Sequence, residues 1–184
     1  AHGVRQITAF DIVGDIADLQ SVVQRHLSPA LGALSAATIL RVPHTALRAL
    51  AGRYPAIAEA FWRDCMVDAA IMAEWVVNVG RRDARTRLAH LLCEMATRFE
   101  AADGAEVVFP FAVTQNHLAD ALALTPVHVN RTLKTLRGEG VAIACGRMVR
   151  VLDWEAMVRI GEFDGAYLQR EAEPQAWFRL LHAV

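Results

Sequence analysis

The stretch Thr114 to Leu136, TQNHLADALALTPVHVNRTLKTL, decides how this chain is read. It reads as two short helices joined by a tight turn. Thr114 offers a hydroxyl to the free N–H groups of a first helix, which buries Leu118, Ala119 and Leu122 at helical spacing. The small side chain of Ala119 lets a second helix cross closely. Thr125 supplies the next N-cap, and Pro126 falls at the first helical position, where its missing N–H costs nothing. Val129 and Leu133 then face inward, leaving Val127, His128, Asn130, Arg131 and Lys134 outside. That outer set is short, polar and basic, as a helix entering a DNA major groove requires. A plain helical hairpin with solvated charges would show the same pattern.

The residues after Leu136 favour the first reading. Arg137 to Gly140 forms a turn, and VAIACGRMVRV reads as two short strands around Cys145-Gly146-Arg147, with Gly146 supplying the turn conformation. Helix, turn, helix and then a β-ribbon is a winged helix. Between Thr114 and Leu152 five basic side chains (Arg131, Lys134, Arg137, Arg147, Arg150) face two acidic ones (Asp120, Glu139). The whole chain has a formal net charge of only -1. A local basic patch on a near-neutral protein suits specific, salt-sensitive phosphate contact rather than general polyanion binding.

With 184 residues, 54% of them hydrophobic, the chain can bury a sizeable core and hold more than one folding unit. Cys65, Cys93 and Cys145 are too far apart for a zinc or iron–sulfur pattern, and their apolar neighbours predict buried structural thiols. The histidines lack metal-ligand spacing, so no metal is expected. Every apolar run is broken within a few residues, which predicts no signal peptide, no membrane span and a reduced, cytoplasmic protein. No nucleophile–base pair, paired carboxylates or phosphate loop is present. His44, His90 and Asp68 read as packing or surface groups, so an enzyme is not expected.

Outward from the hairpin, the chain divides. Val4–Phe10 and Thr38–Val42 read as strands, separated by turns at Gly14, Pro29 and Gly32; Pro43 and His44 lead into a short helix through Leu50. Two or three strands do not close a stable sheet alone. The expectation is the C-terminal part of a larger β-domain whose first strands precede Ala1. A long helix runs from Pro55 to about Val79, with Gly80 just past its end. Phe61, Met72, Trp75 and Val79, with Ile57, form an apolar seam, while Val67, Ile71 and Val76 lie partly off it. Such a helix wants cover on two sides. One side can take the β-domain and the other a second copy in a parallel coiled coil, the alternative being the central helix of a monomer. Asp83 caps a further helix carrying Leu88, Leu91, Leu92, Met95 and Phe99; Glu106–Phe111 gives a strand able to join the wing, and Asp153 caps a helix with Trp154, Met157 and Ile160. The tail EAEPQAWFRLLHAV is short and amphipathic and is expected to dock on its own chain.

The segments NVGRRDARTRLAHLLCEMATRF, FAVTQNHLADALALTPVHVNRTLKTLRGEGVAI and CGRMVRV, in this order after a long helix, resemble the CRP/FNR family of bacterial transcription regulators. GVRQITAFDIVGD is similar to the later strands of that family's sensor barrel, and the likeness runs from about Arg5 to Leu168. It implies an α+β fold: a partial N-terminal β-roll of the jelly-roll-like sensor type at 1–52, a dimerisation helix at 53–80, a winged helix-turn-helix at 81–168 and a short tail at 169–184. It also implies a homodimer on a palindromic promoter site, with RNA polymerase as a further partner and no membrane. Val127, Asn130 and Arg131 match the positions that meet base edges. A guanidinium at Arg131 can pair with guanine O6 and N7, Asn130 can address an adenine, and Val127 a thymine methyl. Thr114, Gln115, Thr125, His128 and Lys134 match phosphate-holding positions, and Arg147 falls in the wing. Either all three recognition residues read sequence, or Arg131 alone does and the others position the helix.

Three departures stand out. Ala123 occupies a turn position where the family often has Gly, and Thr132 replaces an aliphatic residue. The family's cyclic-nucleotide binders cradle the phosphate with Gly-Glu-Leu and a following Arg-Ser/Thr-Ala. Here DIADLQSVVQRHLSPALGAL has Asp18-Leu19 for the first and Ser28-Pro29-Ala30 near the second, with Arg25 the only nearby cation. A buried phosphate without a cation lacks an adequate partner, so cyclic AMP is not the expected effector. The visible chain shows no cofactor site; a haem or another small effector would be held by strands preceding it. The competing function is a small-molecule or haem sensing module acting through protein contacts, with the winged helix as docking surface.

Overall fold

The computed structural model describes residues 5–24, 30–102 and 107–170. Its order is α1 (His44–Arg53), α2 (Pro55–Arg81), α3 (Ala84–Arg98), β1 (Val107–Pro110), α4 (Gln115–Leu122), α5 (Pro126–Gly138), β2 (Ala142–Cys145), β3 (Met148–Val151) and α6 (Trp154–Gly161). Short 3-10 turns occupy Leu19–Val22 and Gly165–Leu168. Among the described residues no helix is long and apolar enough to cross a membrane.

The core is built on α3, where Leu88, Leu91, Leu92 and Met95 are essentially fully buried. Asp83 starts this helix by accepting from the backbone N–H groups of Arg85 and Thr86. Those hydrogen bonds hold its carboxyl below the usual carboxylate range. The three strands form one antiparallel sheet in the order β1-β3-β2, so the expected strand does join the wing. Val107, Phe109, Val149 and Val151 point inward at alternate positions. Helix α6 crosses α3 at Gly161, where a Cβ would sit 2.8 Å from the His90 backbone nitrogen. The Gly161 carbonyl there accepts from His90 Nδ1 at 3.0 Å.

Helix α2 is 27 residues long, about 40 Å at 1.5 Å per residue. Gly80 lies inside it rather than beyond it, because the turn out of the helix is made at Arg82, immediately before the Asp83 cap. Trp75, expected on the pairing seam, is instead buried in its own chain. It packs edge-on against Phe10 at 5.7 Å, and its indole N–H donates to Glu94 Oε2 at 2.9 Å. Glu94 is itself fully buried and also accepts from the Tyr167 hydroxyl at 3.0 Å and from Arg98. Burial pushes this carboxyl up, and the three donors pull against that shift. Burial also pushes the imidazolium of neighbouring His90 down, so the ring sits neutral beside Gly161 and Tyr167.

The N-terminal segment departs from expectation. Neither the described part of Val4–Phe10 nor Thr38–Val42 forms a strand; Val4 lies outside the described residues. A strand needs a ladder, and here the Ile7 N–H is spent on the Asp120 carbonyl of α4 at 3.1 Å. Ile39 and Leu40 stand 74% and 89% exposed, with no strand beside them among the described residues. The segment is nevertheless docked. Phe10 is buried between Trp75 and Phe111, and Arg98 reaches Asp15 at 2.6 Å. Of the three cysteines only Cys93 is buried; Cys65 is half-buried and Cys145 exposed, because β2 leaves the core as it approaches the turn. Glu106, Pro29 and residues 171–184 of the tail lie outside the described residues.

Candidate nucleic-acid interface

The hairpin forms as its caps dictate. The Thr114 hydroxyl accepts from His117 N–H at 3.1 Å, while His117 Nδ1 accepts from the Thr114 N–H at 3.2 Å. This reciprocal arrangement satisfies two free backbone donors at the start of α4. Thr125 Oγ1 accepts from His128 N–H at 3.2 Å, with Pro126 in the first turn of α5. Between the helices Ala123 adopts φ 52° and ψ 45°, the left-handed conformation its position demands. Thr132, the polar replacement, is buried, and its hydroxyl donates back to the His128 carbonyl at 2.9 Å. That bond removes the cost of placing a hydroxyl in the core.

Val129, Thr132 and Leu136 seat α5 on the body. Val127 is 76% exposed on the opposite side, and His128, Arg131 and Lys134 are exposed beside it. Asn130 is half-buried, because its Nδ2 donates to Gln115 Oε1 on α4 at 3.1 Å. Thr114 and Gln115 lie at the exposed start of α4, and Thr125 at the exposed start of α5. Arg147 is exposed in the two-residue turn between β2 and β3, where Gly146 has φ +62°. The expected base-facing and phosphate-facing groups of the hairpin are therefore exposed apart from half-buried Asn130, and the Asn130–Gln115 bond joins the start of α4 to α5. Oriented N–H groups and exposed cations there favour an anionic polymer.

The sequence did not single out Asp120 and Glu94. Asp120, on α4, takes Arg5 Nη2 at 2.6 Å and gives its carbonyl to Ile7; Glu94 ties α2 to α3 and to the Gly165–Leu168 turn. Both are polar residues on amphipathic helices, and nothing local marks partners up to 115 positions away.

The long helix presents a different exposed row from the one expected. Trp62, Met66, Ala69, Ala73, Val76 and Gly80 are all exposed, spaced alternately four and three apart. Of the expected seam, Met72 is exposed beside this row, Phe61 and Val79 are half-buried, and Trp75 is internal. A 3.5-residue repeat is the spacing of a coiled-coil seam.

Residues 86–160 match the Crp-like helix-turn-helix domain family. Over 160 residues the chain is 29% identical to the nitrogen fixation regulation protein FixK of Azorhizobium caulinodans, covering 86% of this chain and 64% of that protein. It is 23% identical over 158 residues to the anaerobic regulatory protein of Haemophilus influenzae, covering 86% and 62%. Among solved structures, FixK2 from Bradyrhizobium japonicum shares the fold with a TM-score of 0.58 at 22% identity, over 65% of this chain and 59% of that one. The chain thus spans less than two thirds of the length of the relatives it matches.

Proposed function

Because this chain belongs to the CRP/FNR family of transcription regulators, whose members matched here are regulators and not enzymes, we propose that it binds a palindromic DNA site as a homodimer. The observation that carries this reading is the outer face of α5, where Val127, Arg131 and Lys134 are exposed beside the capped start of α4. In this reading residues 1–52 belong to the sensor, 53–80 to the pairing helix, 81–168 to the DNA-binding unit and 169–184 to the tail. Arg131 pairs with a guanine, with Val127 and Asn130 alongside. Thr114, Gln115, Thr125, His128, Lys134 and Arg147 hold phosphates. The pairing surface is the row from Trp62 to Gly80, with Met72 at its flank. RNA polymerase is the expected further partner, in the cytoplasm.

The effector acts by changing how two copies of α2 meet, and so the separation of the two copies of α5, which must span about one DNA turn, ~34 Å. It is not cyclic AMP in this reading: Asp18 stands at the start of a 3-10 turn where a cradle would be, and Arg25 and Ser28-Pro29 lie outside the described residues. Selection of bound duplexes from a random pool tests the reading directly. Two inverted half-sites are expected, with binding that weakens steeply as salt rises. On the selected site Arg131→Ala costs on the order of 1–3 kcal/mol and relaxes one base in each half-site. An unchanged base preference in Arg131→Ala removes that assignment, and binding indifferent to salt favours a protein-docking module instead.

A further inference from the structure

We infer that Gln115 is a positioning residue that orients Asn130 to read an adenine in each half-site, a step that rests on the DNA-binding reading above. Asn130 Nδ2 donates to Gln115 Oε1 at 3.1 Å, across the crossing of α4 and α5. The hydrogen bond partitions the chemistry of both amides. Gln115 has spent its carbonyl on Asn130 and keeps two N–H donors, the complement of a backbone phosphate oxygen. Asn130 has spent one N–H and keeps the other, together with an uncommitted Oδ1. One donor beside one acceptor matches adenine, which offers N7 as acceptor and N6–H as donor in the major groove. It mismatches guanine, whose N7 and O6 both accept.

Position supports the assignment. Gln115 opens α4 directly after the Thr114 cap, so its backbone is held by the reciprocal bonds between Thr114 and His117. Asn130 precedes Arg131 and lies one turn from both Val127 and Lys134, on the outer side of α5. A free asparagine amide would turn to suit either purine. One held by Gln115 meets the groove with its donor and acceptor already assigned, and loses less freedom on binding. The opposite arrangement, Gln115 donating to Asn130 Oδ1, would engage the acceptor side of Asn130 and leave both of its N–H donors for the groove, which favours guanine. The base found opposite Asn130 therefore reports which way the pair points.

The test compares duplexes selected from a random pool by the whole chain and by N130A, Q115A and Q115E, with affinities then measured on the wild-type consensus. An adenine is expected in each half-site at the position that loses its preference in N130A, while the Arg131-dependent base persists. Exchanging that adenine for guanine should weaken wild-type binding by about 5- to 100-fold. Replacing it by 7-deazaadenine, which lacks the N7 acceptor, should weaken the wild type and leave N130A unaffected. Q115A should lose most of the adenine preference. Q115E still accepts from Asn130 but repels phosphate, so it should keep the preference while weakening every duplex. A Q115A protein that binds all sequences more weakly with its adenine preference intact overturns the proposal and leaves Gln115 a phosphate contact only. Guanine at the Asn130-dependent position also overturns it. Failure to recover any palindrome, or binding insensitive to salt, instead overturns the DNA-binding reading beneath it.

Discussion

Ala123 holds the turn between the two hairpin helices at φ 52°, a conformation in which a Cβ crowds the neighbouring carbonyl. That crowding costs about 1–2 kcal/mol, against roughly 0.4–1 kcal/mol of unfolded-state entropy that a glycine would add back. Ala123→Gly should therefore stabilise the chain by roughly 0.5–1 kcal/mol, read as a raised urea midpoint at unchanged slope, with DNA affinity little altered. A lowered midpoint would mean that the alanine methyl makes a contact outweighing the strain. Single residues of this kind were legible in the sequence, because the turn, the Thr114 and Thr125 caps and the exposed Arg131 all obey rules that span four positions or fewer. Asn130 with Gln115, and Glu94 with Trp75 and Tyr167, were not legible as pairs. Their partners lie 15, 19 and 73 positions away, and only the crossing of helices brings them together.

At the scale of elements, α4 shows what the N-terminal segment does in place of forming a strand. An eight-residue helix is too short to be stable alone, and its last carbonyls lack partners within it. Ile7 N–H donates to the Asp120 carbonyl and Gln6 Nε2 to that of Ala121, both at 3.1 Å, while Arg87 Nη1 reaches the Leu122 carbonyl at 3.1 Å. Arg5 adds its charge at Asp120, near the negative end of the helix. The segment is a C-terminal cap for the first helix of the hairpin. Ile7→Pro removes the donated N–H, so hydrogen exchange in α4 should speed up several-fold while α5, capped by Thr125, keeps its protection. Equal acceleration in both helices would show the segment to be general packing. Residues 4–10 read as a strand from their apolar and β-branched side chains and the turn at Gly14 beyond them, a composition that reports burial. It does not report what accepts the hydrogen bonds, and here a helix end does.

For the whole molecule, the decisive question is which face of α2 is left for a partner. Apolar periodicity alone put Trp75 on that face, since a tryptophan serves a core and a seam equally well. Folding assigns Trp75 to the core through Phe10 and Glu94, and leaves the row from Trp62 to Gly80, in which Ala69 and Ala73 are small enough for a second helix to approach closely. Ala73 is exposed in the single chain, so Ala73→Glu should leave its folding intact. In a parallel pair the same substitution sets two carboxylates face to face in the seam. A buried charge without a partner costs about 3–5 kcal/mol, which weakens dimerisation by at least ~100-fold. Sedimentation should then show monomer at concentrations where the parent chain is paired. The proposed DNA complex gives a sharper test, because in it each copy of α5 brings its own set of phosphate contacts. A monomer engages one half-site, so the slope of log affinity against log salt should fall to about half that of the dimer. An Ala73→Glu protein that stays dimeric with its full salt slope would move the pairing surface off this row, and the head-to-head geometry of the two reading helices would have to be rebuilt from another face.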